Sequence, residues 1–169
     1  SFKISGIVMD LGLSSYQLNH EEGFSYQRDT ELDMRADKNQ RLTAKDVLNK
    51  YDEKELARIF YEYGELRYSR QLARELFHNR KSKKFETTFD VVEVLKEKVP
   101  AKYLNRDLSK LFQAIRIEVN SELENLENVL TDSVDFLEPG ARIVAVSYHS
   151  LEDRVVKNAF RGKENLKVI

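Results

Sequence analysis

The chain has 169 residues, of which 41% are hydrophobic and 34% are charged, and its formal net charge is −1. The composition is ordinary for a globular domain, and no run approaches the about 20 apolar residues that a membrane helix needs. Because cysteine is absent, disulfides, thiol catalysis and cysteine-ligated zinc are excluded, which is compatible with the cytosol. We expect a cytoplasmic protein with no membrane partner.

The first apolar run, from Ile4 to Leu13, predicts a strand of a parallel sheet that is buried on both faces. Domains seldom open with so central a strand. At the other end, Leu166 to Ile169 are typical of a strand that is just beginning. We therefore expect the chain to be a fragment of a longer protein.

The middle of the chain predicts a block of short helices. Capping residues precede three apolar stripes, at Thr43, at Asp52 and at Thr87 or Thr88. Gly64 is expected to end the second of these helices in a left-handed turn.

A long helix, a strand and a last helix are predicted to follow. Apolar residues recur at spacings of three and four from Phe112 to Leu137, and Pro139-Gly140 is expected to stop that helix. The run Arg142 to Ser147 predicts a second strand, and Leu151 to Phe160 a final helix. The order of elements indicates a strand–helix–strand unit of an α/β fold that carries a helical insert.

Polar clusters follow both predicted strands. Asp10 to Ser15 follows the first strand, and Ser147 to Arg154 follows the second. Ligands bind beyond the carboxyl ends of parallel strands, so the clusters share one rim if the strands are parallel neighbours. The structural alternative is that Asp10 and Gly12 form a turn and that Ser150 caps a helix.

Other chemistries lack their parts in this sequence. There is no glycine-rich phosphate loop and no Gly-x-Ser-x-Gly elbow, and the three histidines are too scattered to predict a metal site. A basic patch can bind a polyanion or form a solvated helix face. It consists of Arg67, Arg70, Arg74, Arg80, Lys81, Lys83 and Lys84, opposed only by Glu75.

Several longer motifs occur in a specific order along the chain. They are Asp10-Leu-Gly-Leu-Ser-Ser-Tyr-Gln-Leu18, Gly23-Phe-Ser25, Leu32-Asp-Met-Arg35, Tyr63-Gly-Glu65, Phe112-Gln-Ala-Ile-Arg-Ile-Glu-Val-Asn-Ser-Glu-Leu123 and Ser147-Tyr-His-Ser-Leu-Glu-Asp-Arg154. Their order and spacing resemble the ribosomal RNA small subunit methyltransferase H family, also called MraW, over nearly the whole chain.

The resemblance implies a class I (Rossmann-like) methyltransferase fold that uses S-adenosylmethionine and carries an inserted all-helical domain. Residues 1–18 and 107–169 would belong to the methyltransferase core, and residues 19–106 to an inserted domain that binds RNA. The implied reaction is methylation of the exocyclic N4 of a cytidine in the decoding region of bacterial 16S rRNA, on naked rRNA or on the small ribosomal subunit. The family's cofactor half precedes Asp10, so the resemblance also implies a partial enzyme that is inactive alone.

The matching motifs and the chemistry of the reaction together suggest the site residues. A cytosine amine is a poor nucleophile, and side chains that accept its N–H hydrogen bonds localise its lone pair. The candidates are Asp10, Ser14, Ser15 and His149 for catalysis; Asp10, Gly12 and Gln17 for the cofactor; Arg35, Arg116, Asn120, Ser150 and Arg154 for RNA; and no residue for a metal.

Two other classes of function stay open at this point. The chain could be a non-catalytic helical interaction module in which the strands are only a scaffold. It could also belong to a DNA methyltransferase that acts on cytosine N4, because the chemistry is the same.

Overall fold

The structure is a computed structural model that describes residues 3–161 and 166–167. In chain order its elements are β1 (Ile4–Asp10), α1 (Ser15–His20), α2 (Ala44–Lys50), α3 (Glu53–Glu62), α4 (Ser69–Ser82), α5 (Thr88–Lys98), α6 (Ala101–Asn120), α7 (Glu122–Asp132), a 3-10 helix (Ser133–Phe136), β2 (Leu137–Val146) and α8 (Ser150–Arg161). Among the described residues, every helix is too short or too polar to cross a membrane.

The chain folds as two compact units. Residues 1–13 and 121–169 form the first, here called the sheet unit, and residues 14–120 form the second, the helical unit. The sequence analysis had placed the helical segment at residues 19–106. The helical unit of the structure is longer at both ends, and it includes the whole of α6. That the segment is an RNA-binding domain stays a prediction.

The two strands of the sheet unit pair in parallel, as the shared rim requires. Ile7 lies opposite Ile143, and Asp10 lies opposite Val146. The Leu11 amide continues this ladder by donating to the Val146 carbonyl at 3.0 Å. Residues 10–13 at the end of β1 and residues 147–154 after β2 therefore do lie at one edge of the sheet.

Burial of the first strand, in contrast, was predicted wrongly. In β1 the side chain of Val8 is 78% exposed, and in β2 Val144 and Val146 are also exposed. The apolar run correctly indicated a parallel strand, but burial depends on what covers the sheet. These side chains lack such cover within the described residues.

A local irregularity separates the start of the sheet from its regular part. The register shifts between the pair Ile4 and Leu137 and the pair Gly6 and Arg142. The extra residues of β2 include Pro139 and Gly140, and Gly140 has a φ of 86°. Proline cannot donate to a sheet ladder, and a bulge is a position where no such bond is needed. Pro139-Gly140 thus lies inside the strand instead of ending a helix.

The single long helix predicted from Phe112 to Leu137 is also wrong. It is divided at Ser121, whose φ of 48° is left-handed and interrupts the helical ladder between α6 and α7. The apolar spacing persists across this residue, and spacing reports the period of a helix but not its continuity.

The helical unit has a well-formed core. Its helix starts are fixed by capping boxes at Thr43, Asp52 and Thr87, as the sequence predicted. The apolar faces meet in a set of side chains that are at most 2% exposed, which includes Leu32, Met34, Leu48, Leu56, Ile59, Phe60, Leu72, Leu76, Leu95, Leu111 and Ile115. The left-handed residue after α3 is Glu65 and not, as the sequence had predicted, Gly64. Gly64 instead packs against backbone, and a Cβ built there would stand 2.8 Å from the Phe60 carbonyl oxygen.

Candidate functional site

The edge of the sheet beyond β1 and β2 carries an exposed carboxylate that is held in place. Asp10 is the last residue of β1, and its Oδ1 accepts a hydrogen bond of 2.8 Å from the Tyr148 hydroxyl. This hydrogen bond to Asp10 raises the pKa of Tyr148, so the phenol stays protonated and remains a donor. Asp10 Oδ2 makes no hydrogen bond with the residues that the structure describes. The site therefore offers one fixed carboxylate with one oxygen available.

Gly12 leaves room for the Tyr148 ring. Its φ is 86°, and a Cβ built there would lie 3.2 Å from Tyr148 Cδ2. Both the backbone conformation and the close ring favour glycine at this position. The Tyr148 side chain is nevertheless 67% exposed, so its ring also presents area to a ligand.

His149 and Glu152 organise the start of α8. Glu152 is only 4% exposed, and its Oε2 accepts from the Tyr148 amide at 2.9 Å. His149 Nδ1 accepts from the Glu152 amide at 3.4 Å, while His149 Nε2 lies 3.3 Å from Glu152 Oε1. An acid in the first turn also suits the positive end of the helix. Glu152 thus fixes the backbone that carries Tyr148, a role that the sequence reasoning had missed.

A second acid, Glu122, stands close to this pair. Ligand atoms of Glu122, His149 and Glu152 lie within 4.8 Å of one another, a set that has the chemistry to hold a divalent cation. Glu152 is already engaged with the Tyr148 amide. That the protein uses no metal stays a prediction.

Ser14 and Gln17 cap α1. Gln17 Oε1 accepts from the Ser14 amide at 3.1 Å, and Ser14 Oγ accepts from the Gln17 amide at 3.2 Å. This reciprocal pair is a capping box, which could have been read from the Ser-x-x-Gln spacing. Ser15 is the first residue of α1, and its side chain lies outside the described part of the structure. The catalytic and cofactor roles of these residues stay predictions.

Arg35 is bound on several sides in the helical unit. Its Nε donates to Asp33 Oδ1 at 2.6 Å, and its Nη1 donates to the carbonyls of Lys38 and Gln40 at 3.0 and 2.8 Å. Asp33 also pairs with Lys38 at 2.7 Å. Burial raises the pKa of Asp33, but the hydrogen bonds from Arg35 and Lys38 outweigh burial and lower that pKa to about 2. Arg35 therefore holds the loop of residues 33–40.

Asn120 holds the same loop from α6. Its Nδ2 donates to the Met34 carbonyl at 2.8 Å, and its Oδ1 accepts from the Ala36 amide at 2.8 Å. Arg116 stands one turn earlier on α6 and is half-buried. Arg35 and Asn120, proposed from the sequence to bind RNA, thus meet on one loop of the helical unit.

The last two RNA candidates lie on α8 in the sheet unit. Ser150 is the first residue of α8, and Arg154 lies one turn later; both are exposed. Both lie on α8, which follows β2 and carries Glu152, the acceptor of the Tyr148 amide, in its first turn. The proposed RNA residues therefore belong to two units, and no single surface can be assigned to them.

A family model and several known proteins match this chain, and all of them belong to the same family. A family model described as the MraW methylase family matches residues 1–169. The chain is 52% identical over 165 residues to the ribosomal RNA small subunit methyltransferase H of Carboxydothermus hydrogenoformans, which covers 96% of the chain and 53% of that relative. Proteins of the same name from Hydrogenobaculum sp. and Fusobacterium nucleatum are 49% identical over 164 residues and 46% identical over 160 residues, and cover 96% and 94% of the chain. The matches cover 55% and 51% of those relatives, so the chain spans about half the length of the curated relatives it matches.

Proposed function

The chain belongs to the MraW methylase family, and on this premise we propose that the whole protein methylates the exocyclic N4 of a cytidine in the decoding region of bacterial 16S rRNA. The proposed methyl donor is S-adenosylmethionine. The names of the relatives support an RNA of the small ribosomal subunit as substrate and disfavour both DNA and a purely structural role.

We also propose a class I, Rossmann-like sheet with residues 14–120 as its helical insert. The support is the pair of parallel strands whose apolar side chains are exposed, because parallel sheets occur with both faces covered. The relatives are about twice as long as this chain, so their length leaves room for such cover. On this basis we expect the 169-residue chain alone to be inactive.

The observation that carries the proposal is the Asp10 carboxylate held by Tyr148 at the sheet edge. S-adenosylmethionine, when bound, supplies an electrophilic methyl group on a sulfonium. An exposed carboxylate and an exposed aromatic ring suit such a cation, so Asp10 and Tyr148 fit the cofactor in charge and chemistry. Asp10, Gly12 and Gln17 remain the residues that we propose to bind it.

Asp10 can also activate the acceptor amine. The lone pair of a cytosine amine is delocalised into the ring, and a hydrogen bond accepted from its N–H group localises that pair on nitrogen. Asp10 Oδ2 is available for this bond, while Tyr148 fixes the other oxygen and so limits the rotation of the carboxylate. Ser14, Ser15 and His149 stay proposed as further polar groups for the amine and for the proton that it releases.

A target base has to leave its stack to reach such a site. Ser150 and Arg154 on α8 are proposed to contact the RNA near the rim. For Arg35 and Asn120 we propose an indirect role, in which they fix the loop of residues 33–40. Arg116 remains a proposed RNA contact on α6.

The proposal is tested by measuring transfer of labelled methyl from S-adenosylmethionine to small ribosomal subunits, to naked rRNA and to duplex DNA. We expect the whole protein to methylate the RNA substrates and not the DNA, and Asp10→Asn to lower kcat by about 100-fold. Tyr148→Phe is expected to lower kcat roughly tenfold with little change in KM, because it loosens Asp10 and removes no substrate contact.

Tyr103→Phe is the matched control, because Tyr103 is an exposed tyrosine of α6 in the helical unit. Calorimetry with S-adenosylmethionine separates the steps, and we expect binding by the whole protein but not by the 169-residue chain. Unchanged turnover in Asp10→Asn would sink the role of Asp10. Methylation of DNA but not of rRNA would favour the DNA enzyme, and binding by neither protein would favour the interaction module.

A further inference from the structure

The fold divides the basic patch that the sequence places between Arg67 and Lys84. Arg80 points inward and donates to the carbonyls of Leu48 and Tyr51 at 2.9 and 2.6 Å, and burial lowers its pKa. Lys83 pairs with Asp90 at 2.5 Å. These two cations are engaged within the protein, so the patch is not one continuous binding surface.

Arg67 and Arg70 instead face cations of a neighbouring helix. Together with residues of α3 they line a cavity of about 910 Å³, here called the basic cleft. The lining groups that matter for the argument are Lys54, Arg58, Tyr61, Arg67, Ser69 and Arg70. Glu53 is the carboxylate among the lining residues, so positive charge dominates the cleft.

Most of the cations in the basic cleft are available. Lys54, Arg67 and Arg70 are exposed, and they form no ion pair with any residue of the described ranges. Arg58 differs, because Glu62 at 3.0 Å and Glu118 at 3.2 Å hold its guanidinium. Arg58 thus forms a fixed wall, and the other three cations can bind an anion.

The buried end of the cleft offers hydrogen-bond groups as well. The 14-residue helix α4 begins at Ser69, and no side chain caps its first amides. The preceding Tyr68 hydroxyl donates to Asp107 at 2.5 Å instead. Ser69 is 4% exposed, lines the cavity, and its hydroxyl makes no hydrogen bond within the described residues. A helix start without a side-chain cap, beside an unused hydroxyl that lines the cleft and two arginines, is suited to a phosphate oxygen.

An aromatic ring completes the cleft. Tyr61 on α3 is 65% exposed, lines the same cavity and has no ring contact with the described residues. Proteins that bind single strands combine a basic groove for the backbone with exposed rings on which bases stack. An acidic peptide would use the cations but would gain no stacking from Tyr61.

We propose that the basic cleft binds the sugar–phosphate backbone of single-stranded RNA and that Tyr61 stacks on one of its bases. This site rests on the proposed function, because it extends the contact with the RNA substrate to a surface that is formed by α3, α4 and the loop between them. It lies within the helical unit and involves none of the residues assigned to methyl transfer.

The test is fluorescence anisotropy of a labelled single-stranded oligoribonucleotide of about 12 nucleotides, titrated with the 169-residue chain over a range of salt concentrations. Arg67→Gln combined with Arg70→Gln is expected to weaken binding about tenfold and to reduce the slope of log K against log salt by roughly 1.4, or about 0.7 for each phosphate contact. Tyr61→Leu is expected to weaken binding about fivefold or more, and Tyr61→Phe to preserve it.

Arg41→Gln combined with Lys96→Gln removes the same net charge from exposed positions outside the cleft, and a change below about twofold is expected. Urea unfolding verifies that each variant is folded. Competition with inorganic phosphate and with poly-glutamate identifies the ligand. We expect neither competitor to displace the bound RNA when it is added at the same total charge as the RNA.

Equal losses in the two double variants would overturn the site in favour of general charge attraction, and so would an unmodified chain that does not bind RNA. If poly-glutamate displaces the RNA and Tyr61→Leu leaves the affinity for RNA unchanged, the cleft is a site for an acidic peptide. The methyl-transfer assay is independent of these outcomes. If RNA binding depends on the cleft but the whole protein does not methylate rRNA, the proposed RNA site is supported and the proposed methyltransferase activity is contradicted.

Discussion

The helical unit and the sheet unit bury their apolar residues to very different extents. In the helical unit, Leu32, Phe60 and Leu111 are completely buried. In the sheet unit, β1 and β2 expose their valines, and the buried apolar side chains lie where α7 and α8 pack together, at Leu126, Leu130 and Leu151. Packing therefore accounts for the order of the helical unit, whereas the sheet unit leaves much of its apolar surface exposed.

The candidate chemistry shows the opposite distribution. The sheet edge is organised by polar contacts, in which Tyr148 holds Asp10 and Glu152 holds the backbone of Tyr148. These contacts need few buried neighbours, so the rim is formed even where the sheet lacks cover. The difference teaches that most of the buried core lies in the helical unit, whereas the contact between Asp10 and Tyr148 at the proposed site lies in the sheet unit, so that the two can be perturbed separately.

The largest expected effect comes from removing a core side chain of the helical unit. Phe60 is the largest of the fully buried side chains that the structure describes, and Phe60→Ala is expected to lower the free energy of unfolding by about 3–5 kcal/mol. Val8→Ala in β1 is the counterpart, and because Val8 is exposed we expect a change of no more than about 0.5 kcal/mol. Urea unfolding of the 169-residue chain measures both changes, and equal losses would contradict the contrast between the units.

An intermediate effect is expected at Asp33 and should depend on pH. The folded pKa of about 2 lies below the unfolded value of about 3.9, so the contribution of Asp33 is present above pH 4 and is lost as the pH falls through 2. Asp33→Asn is therefore expected to cost about 2 kcal/mol at pH 7 and to flatten the acid limb of stability between about pH 5 and 2. Stability curves at several pH values measure this. An acid limb as steep as that of the unmodified chain would mean that other carboxylates carry it.

The smallest effect separates strain from contact in the sheet unit. Gly12 and Gly140 have the same φ of 86°, but only at Gly12 would a Cβ meet another group, the Tyr148 ring. Gly140→Ala should therefore cost about 1 kcal/mol from backbone strain alone, and Gly12→Ala somewhat more. Differential unfolding of the two variants measures the difference. If they cost the same, the Tyr148 ring moves aside freely and does not constrain the rim.

Local signals in the sequence predicted much of this structure. Capping spacings located α2, α3 and α5, and the two polar clusters located the sheet edge, because both features depend on neighbouring residues. The division of the helix at Ser121 was not predictable, since a left-handed serine has no pattern of its own. The inward course of Arg80 and the Tyr148 to Asp10 contact also escaped prediction. Each joins residues that are distant in sequence, and only the folded chain brings them together.

The separation of the two strands in sequence has a consequence for folding order. Pairing Ile7 with Ile143 closes a loop that contains the entire helical unit. Closing a flexible loop costs more entropy as the loop grows, but an ordered insert has already lost its freedom and behaves as a short tether. The local contacts of a helical bundle also form faster than pairings between distant strands. The helical unit should therefore act as the nucleus, and the sheet edge that carries Asp10 should be the last part of the chain to form.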